Sequence, residues 1–376
     1  MGRALFAPLI AWGVLSVASL ACAQSSRVEG ASGGSSVTLF GILDATLGYG
    51  TGSMANKTQL YSGGNSTSRL GFRGVEDLGG GMGAGFWLEA GLNVDDGSGQ
   101  ATNVNNQPSG SLPVSGLTFN RRATVSLTDF WGELRLGRDF VAHYRNRTDV
   151  DPFDNNGVGN IQPNAGTIAG PTSTRASNMV GYFLPANLGG FFGEVQYYMG
   201  ENASGSPNYL VGNPNADDGD GYSGRLGYAS GPFAIAVAAG KTKFAQTAST
   251  GDIDSANIGA SWDFGVVDVS AGYYRDKVNQ FLPVTATGYV VGAIVPVAGY
   301  DQLKVAWSSY GTDAPGDPQA RKLSLGYVYN FSKRTALYAT YAHVANSGGS
   351  SVAVNGGITG PNQSAWGYDL GMRHRF

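Results

Sequence analysis

The sequence predicts an all-β fold, a 16-stranded antiparallel barrel that crosses a membrane, and three observations lead to it. Segments of about ten residues alternate apolar and polar side chains, the period of a strand with a different environment on each face. The connections between them alternate in length, short then long. Only 14% of the 376 residues are charged, with 59 glycines and 19 tyrosines. Yet no stretch beyond residue 24 approaches the roughly 18 apolar residues of a spanning helix. Backbone groups in lipid find no water, so a membrane protein without spanning helices must close its strands into a barrel.

Residues 1–23 read as a secretory signal peptide: Arg3, an apolar run, then Ala21-Cys22-Ala23 at a small-residue site with cleavage before Gln24. Cys22 is the sole cysteine, and an acylated lipoprotein cysteine would want leucine where Ser19 stands. The mature chain therefore has no disulfide and relies on ladder hydrogen bonds and closure. The formal charge of -3 becomes -4 once Arg3 leaves with the leader, so nucleic acid is not an expected ligand. Residues 24–36 are a flexible Ser/Gly segment, and residues 37–376 form the barrel domain.

The clearest strand pair lies between Ser68 and Asp95. Over 68–74, Leu70 and Phe72 are apolar while Arg69, Gly71 and Arg73 are small or charged. Over 82–94, Phe86, Leu88, Ala90 and Leu92 share one face and Trp87, Glu89, Gly91 and Asn93 the other. A soluble sandwich would bury the apolar face; a barrel in lipid turns it outward and aims Arg69, Arg73 and Glu89 into a wet lumen. Further strands are expected over 37–50, 118–128, 131–139, 177–184, 191–200, 222–229, 233–243, 255–263, 266–275, 288–295, 300–310, 322–331, 334–343 and 364–376. Short turns at 77–81, 129–130, 185–190, 230–232, 264–265, 296–299 and 332–333 separate pairs whose other ends carry long polar loops. A barrel with turns at one rim and loops at the other has this pattern, and a Greek-key sandwich does not. Leu323, Leu325, Tyr327, Tyr329 and Phe331 share a face, with Val328 the one exception among the polar and small residues opposite. In the last strand Trp366, Tyr368, Leu370, Met372, His374 and Phe376 stand opposite Asp369, Arg373 and Arg375. Aromatic residues gather near strand ends, where rings sit at lipid interfaces.

Five stretches carry a resemblance: SSVTLFGILDATLGY at 35–49, SRLGFRGVEDLGGGMGAGFWLEAGLNV at 68–94, GELRLGRDF at 132–140, SNMVGYFLPANLGGFFGEVQYYMGE at 177–201, and the terminal GYDLGMRHRF. With them the chain resembles the general porins of Gram-negative outer membranes, of the Neisseria-like and Burkholderia-like kind. The resemblance implies a homotrimer, a third external loop folded inward to narrow the pore, and Phe376 as an assembly signal for the barrel assembly machinery. It also implies an outer-membrane setting among lipid and lipopolysaccharide, no cofactor, and passive diffusion of ions and small hydrophilic solutes.

A pore this wide holds water, so function needs only a constriction that sorts solutes by size and charge. The candidate is the long loop 140–175, rich in Asn, Asp, Gly and Pro and without strand alternation. Its Asp149, Asp151 and Asp154 surround Pro152-Phe153, the kind of acidic stretch that in similar porins faces a basic wall. Arg69 occupies the basic position of SRLGFRG, Arg73 shares its face, and Glu89 shares the lumen. Arg122 lies beside Asn120 and Thr124 on the lumen face, with snorkelling at an interface as its rival role and that of Arg121. Arg138 and Arg175 bracket the loop. Arg138 has the parity of Leu134 and Leu136, so only a bulge or the loop's onset would turn it inward. The plainer reading of the three aspartates is a solvated loop face, and that of Arg175 is a loop anchor.

Catalytic patterns fail. Gly30 to Gly34 fits G-x-S-x-G without a strand-to-helix turn, and Gly79-x-Gly81-x-x-Ala84 joins two strands with no helix to hold a pyrophosphate. His143, His343 and His374 are scattered and form no zinc pattern. The run Asp217-Asp218-Gly219-Asp220 reads as a hydrated loop tip ahead of a calcium site. Three rival functions have their own signatures. A substrate-preferring channel would show an aromatic track on the lumen face, where little beyond Trp87 stands; a barrel enzyme would need a compact nucleophile and base; a secreted sandwich would dissolve without detergent.

Overall fold

The computed structural model describes residues 34–112, 116–203, 215–297 and 299–376. The leader expected at 1–23 lies outside them, as does all but the end of the segment at 24–36. Among the described residues, 16 strand positions succeed one another in chain order around a closed antiparallel barrel. They are β1 (Ser36–Gly50), β2 (two pieces, Lys57–Ser62 and Arg69–Gly79), β3 (Met82–Gly91), β4 (Arg122–Asp129), β5 (Gly132–Phe140), β6 (Arg175–Phe183), β7 (Phe191–Tyr198) and β8 (Gly221–Ser230). The circuit continues through β9 (Phe233–Thr242), β10 (Ile253–Asp263), β11 (Asp268–Val278), β12 (Val284–Pro296), β13 (Gln302–Thr312), β14 (Gln319–Asn330), β15 (Thr335–Ser347) and β16 (Ala365–Arg375). β1 pairs with β16 from Ile42↔Arg375 to Gly50↔Gly367, so the sheet has no free edge.

The faces are inverted relative to a soluble sandwich. Leu323, Leu325, Tyr327, Tyr329 and Phe331 are exposed on the outside, while Ser324 and Lys322 are buried on the inside. Val328, the exception to the alternation, packs with Ala336 and Tyr338 on the inner wall. Rings band both rims: Trp262 lies 5.9 Å from Phe233 and 6.0 Å from Phe264 at the short-turn end. Tyr49 lies 5.6 Å from Trp366 and 5.5 Å from Tyr368 at the long-loop end.

Two strand boundaries differ instructively from the sequence reading. The second strand is longer than 68–74 and broken: Lys57–Ser62 pairs with the upper half of β1 and Arg69–Gly79 with the lower half. Between the pieces, residues 63–68 leave the ladder. Asp44 takes two of their amides, its carboxylate accepting from Asn65 N at 3.1 Å and Ser66 N at 2.7 Å, while Asp44 N donates to Ser68 Oγ at 2.9 Å. Small polar residues make this segment read as loop, although it is the middle of a strand position. β11 and β12 also run further than expected, to Val278 and from Val284, leaving only 279–283 between them.

The third external loop folds into the lumen and carries two short helices, α1 (Ala142–Thr148) and α2 (Gln162–Ala165). Outbound, Ala142 N donates to Gln196 of β7 at 2.8 Å, Asn146 Nδ2 to Asn257 of β10 at 2.7 Å, and Val158 N to Asp369 of β16 at 2.7 Å. On the return, Lys322 of β14 donates to Asn160 at 2.9 Å, Gln162 N to Ser308 of β13 at 2.9 Å, and Thr172 meets Thr242 of β9 at 2.6 Å. Apolar packing lies between loop and wall: Val150, Phe153 and Ile161 against Tyr274, Val290 and Ala306. Glycines make the seat, since a Cβ at Gly292 would strike Pro152 and one at Gly326 would lie 2.8 Å from Phe153. Burying a ring such as Phe153 is worth roughly 1.5–3 kcal/mol.

Candidate functional site

One wall of the lumen is basic. Arg121 Nε lies 2.5 Å and Arg69 Nη1 3.4 Å from Glu89 Oε1, and Trp87 Nε1 donates to Oε2 at 3.1 Å. Arg69 also donates to Thr67 O at 3.1 Å, which ties it to the inward segment of β2. Arg175 stacks over Phe140 with its Cζ 4.1 Å from the ring centroid and donates to Arg121 O at 2.8 Å. Two guanidinium groups therefore share one carboxylate, and a third, that of Arg175, stands beside them on the backbone of Arg121. Arg73 stands apart, exposed, over the rings of Trp87 at 5.3 Å and Phe40 at 5.9 Å.

Behind this wall lies a balanced ionic cluster. Arg122 is 3.7 Å from Asp139 and over Trp87 at 4.5 Å. Arg135 bonds Glu133 at 2.8 Å and Asp139 at 2.5 Å, and Arg145 of α1 reaches Asp139 at 2.8 Å and Glu194 at 3.3 Å. A buried guanidinium is tolerable only with such partners. Parity marks Glu133 and Arg135 as lumen-facing between Leu134 and Leu136, so this pair was readable from the alternation, although the sequence reading passed over it. Arg145 and Arg147 had no such signal, because the loop has no period.

The loop aspartates have three different fates. Asp149 is paired with Arg225 of β8. Asp151 accepts from Phe153 N at 2.9 Å, Asn155 N at 3.1 Å and Asn164 Nδ2 at 3.2 Å, so it braces the loop's own turn. Burial pushes both carboxyls up, each to about 6, against the pull of those partners. Asp154, held at φ 51 beyond Phe153, keeps its side chain 75% exposed with Lys304 of β13 4.0 Å away. It is the one aspartate of the three that looks into open water. Burial lowers His143 in α1 to about 4, so it is neutral at pH 7 where it meets Ser223 Oγ at 3.0 Å.

Arg138 follows the bulge the parity argument required: the register of β5 against β6 shifts between Gly137 and Asp139. Its guanidinium donates to Asn120 O at 2.6 Å, Asn103 O at 2.9 Å and Ser177 Oγ at 2.8 Å. It binds the second external loop to the wall and makes no contact with Glu89 or the loop aspartates. Thus Arg69 and Arg121 meet Glu89 directly, Arg175 joins them through the Arg121 carbonyl, Arg122 belongs to the cluster behind them, and Asp154 stands on the loop. Arg147 pairs with Asp276 of β11 at 3.0 Å and fastens α1 from beneath.

The family model for Gram-negative porins matches residues 9–349. The chain belongs to the Gram-negative porins. Outer membrane porin protein 32 of Delftia acidovorans is 35% identical over 98% of this chain and 99% of its own. An outer membrane porin of Bordetella pertussis is 29% identical over 91% of this chain and 94% of its own. Among solved structures, an anion-selective porin from Comamonas acidovorans superimposes with a TM-score of 0.79 at 34% identity, covering 91% of this chain and 100% of that one. The porin is an outer-membrane channel, its lipid-facing exterior and polar lumen both accounted for by the strand alternation.

Proposed function

We propose that this porin passes small hydrophilic solutes by general diffusion and prefers anions, with its constriction between the Arg69, Arg121, Arg175 and Glu89 wall and the loop at Asp154. The observation that carries the preference is the count of uncompensated charge. Arg69 and Arg121 share Glu89, Arg175 lies beside them bonded to Arg121 O, Arg73 adds a fourth positive group, and Asp149 and Asp151 face Arg225 and loop amides in place of the passage. Fixed positive charge in a narrow, low-dielectric passage concentrates anions and repels cations. The similar Comamonas acidovorans porin is described as anion-selective, which supports the same sign. In this reading Arg122 sets the field from behind the wall, while Arg138 and Asp151 hold backbone in place. Residues 1–23 serve as the export leader, three copies associate, Phe376 is the assembly signal, and lipopolysaccharide surrounds the outer rim. The chemistry is transport without catalysis.

The test is the zero-current potential of the purified channel in a planar bilayer under a KCl gradient. Native channels should set it toward the chloride potential, and Arg69→Ser with Arg73→Ser should move it toward potassium. A native channel poised at the potassium potential overturns the anion reading; an unmoved potential in the double variant removes those two arginines from the constriction.

A further inference from the structure

Among the described residues, Phe40 and Trp87 make an apolar patch on the lumen wall that stays half-exposed, with Arg122 over Trp87 at 4.5 Å. Phe40 of β1 lies across Gly71 of β2, where any Cβ would collide with its ring, and meets Trp87 of β3 edge-on at 5.2 Å. Both rings are half-buried, so part of each faces water in the lumen. Trp87 is fixed by its bond to Glu89, and Gly71 is what lets Phe40 fold flat toward it. Arg73 hangs over both rings and, among the described residues, its guanidinium has no hydrogen-bond or ion-pair partner. Ring faces and five unmatched N–H donors together are complementary to a flat apolar body bearing a carboxylate.

We propose that Phe40, Trp87 and Arg73 form a subsite for small organic anions that carry an aromatic ring, lying along the route of anions through the pore. The solute's carboxylate takes two N–H groups of Arg73, and its ring lies against Phe40 and Trp87. Aliphatic anions of the same size gain the charge contact without the ring contact. The proposal deepens the anion preference given above and rests on it.

The experiment measures half-block of chloride current by benzoate and by cyclohexanecarboxylate, which matches it in size and charge but lacks the π-face. Benzoate should block at a concentration several-fold lower in the native channel. Replacing the rings by Phe40→Leu and Trp87→Leu should raise the benzoate value roughly three- to tenfold, the range of an aromatic pair contact, and draw the two solutes together. Equal block by both solutes in the native channel overturns the subsite, as does an unchanged benzoate value in Phe40→Leu alone, the milder variant, once heat-modifiable gel mobility shows it folded. The potassium-chloride zero-current potential, read in the same membrane before solute is added, separates the two claims. A potassium-preferring channel defeats the anion reading, whereas a chloride-preferring channel without discrimination defeats this one alone.

Discussion

At the residue scale, Asp149 and Asp151 link the pore's charge to pH. Burial raises both carboxyls from 3.8 to about 6 in the folded loop. With folded values above unfolded ones, the loop is most stable below about pH 4, and that contribution is lost as pH rises through 6. Descending from pH 7.5 to 5 therefore removes two negative charges from the loop and leaves Arg225 unopposed. The zero-current potential should move further toward chloride over that window, before aspartates with ordinary values titrate; a flat profile between pH 7.5 and 5 contradicts the assignment. Other single residues were legible from one line of text. Arg69, Arg73 and Glu89 take their lumen side from parity alone, whereas Arg138 keeps the parity of Leu134 and Leu136, so its inward turn rested on the resemblance. The inward role of Asp44 was not legible, because the amides it satisfies belong to a segment 21 residues away or more and depend on a strand break that Ser and Asn disguise as loop.

At the scale of elements, the loop is held by buried polar pairs as much as by apolar packing. The Arg147–Asp276 bond under α1 is wholly buried. Arg147→Ala should leave an unpaired carboxylate and destabilise the seat by about 3–5 kcal/mol, seen as raised single-channel conductance and noise. The double variant with Asp276→Ala should be milder than either single one, and a double-mutant cycle in conductance checks that. Phe153→Ala should cost about 3–5 kcal/mol of local packing and likewise widen the pore. The strands themselves were readable because period two survives in any single sequence. The loop's path was not: its latches at Asn257, Ser308, Lys322 and Asp369 sit on strands 111 to 211 residues away, and nothing local in either partner signals the other.

For the whole molecule, closure is the source of stability, and the seam is β1 with β16. There Gly41 N and O exchange bonds with Phe376 at 3.1 Å, and the Phe376 ring lies over Gly41 where any Cβ would intrude. Gly41→Val should displace the ring and lower the yield of heat-resistant folded barrel several-fold, while Gly360→Ala, in an external loop where a Cβ would meet only ordinary van der Waals contacts, should not. Barrel yield on unheated gels is the readout. That the first and last strands meet was implied by the even strand number, whereas the glycine that receives the last ring was hidden among 58 others of its kind.

The inner glycines have a further consequence for the current trace. A segment sewn to seven or more staves on its way out and back, with its proline and phenylalanine sunk into notches, has no hinge about which to swing. Ions should meet a fixed orifice, and openings recorded at low voltage should be long and quiet, free of flicker on the millisecond scale.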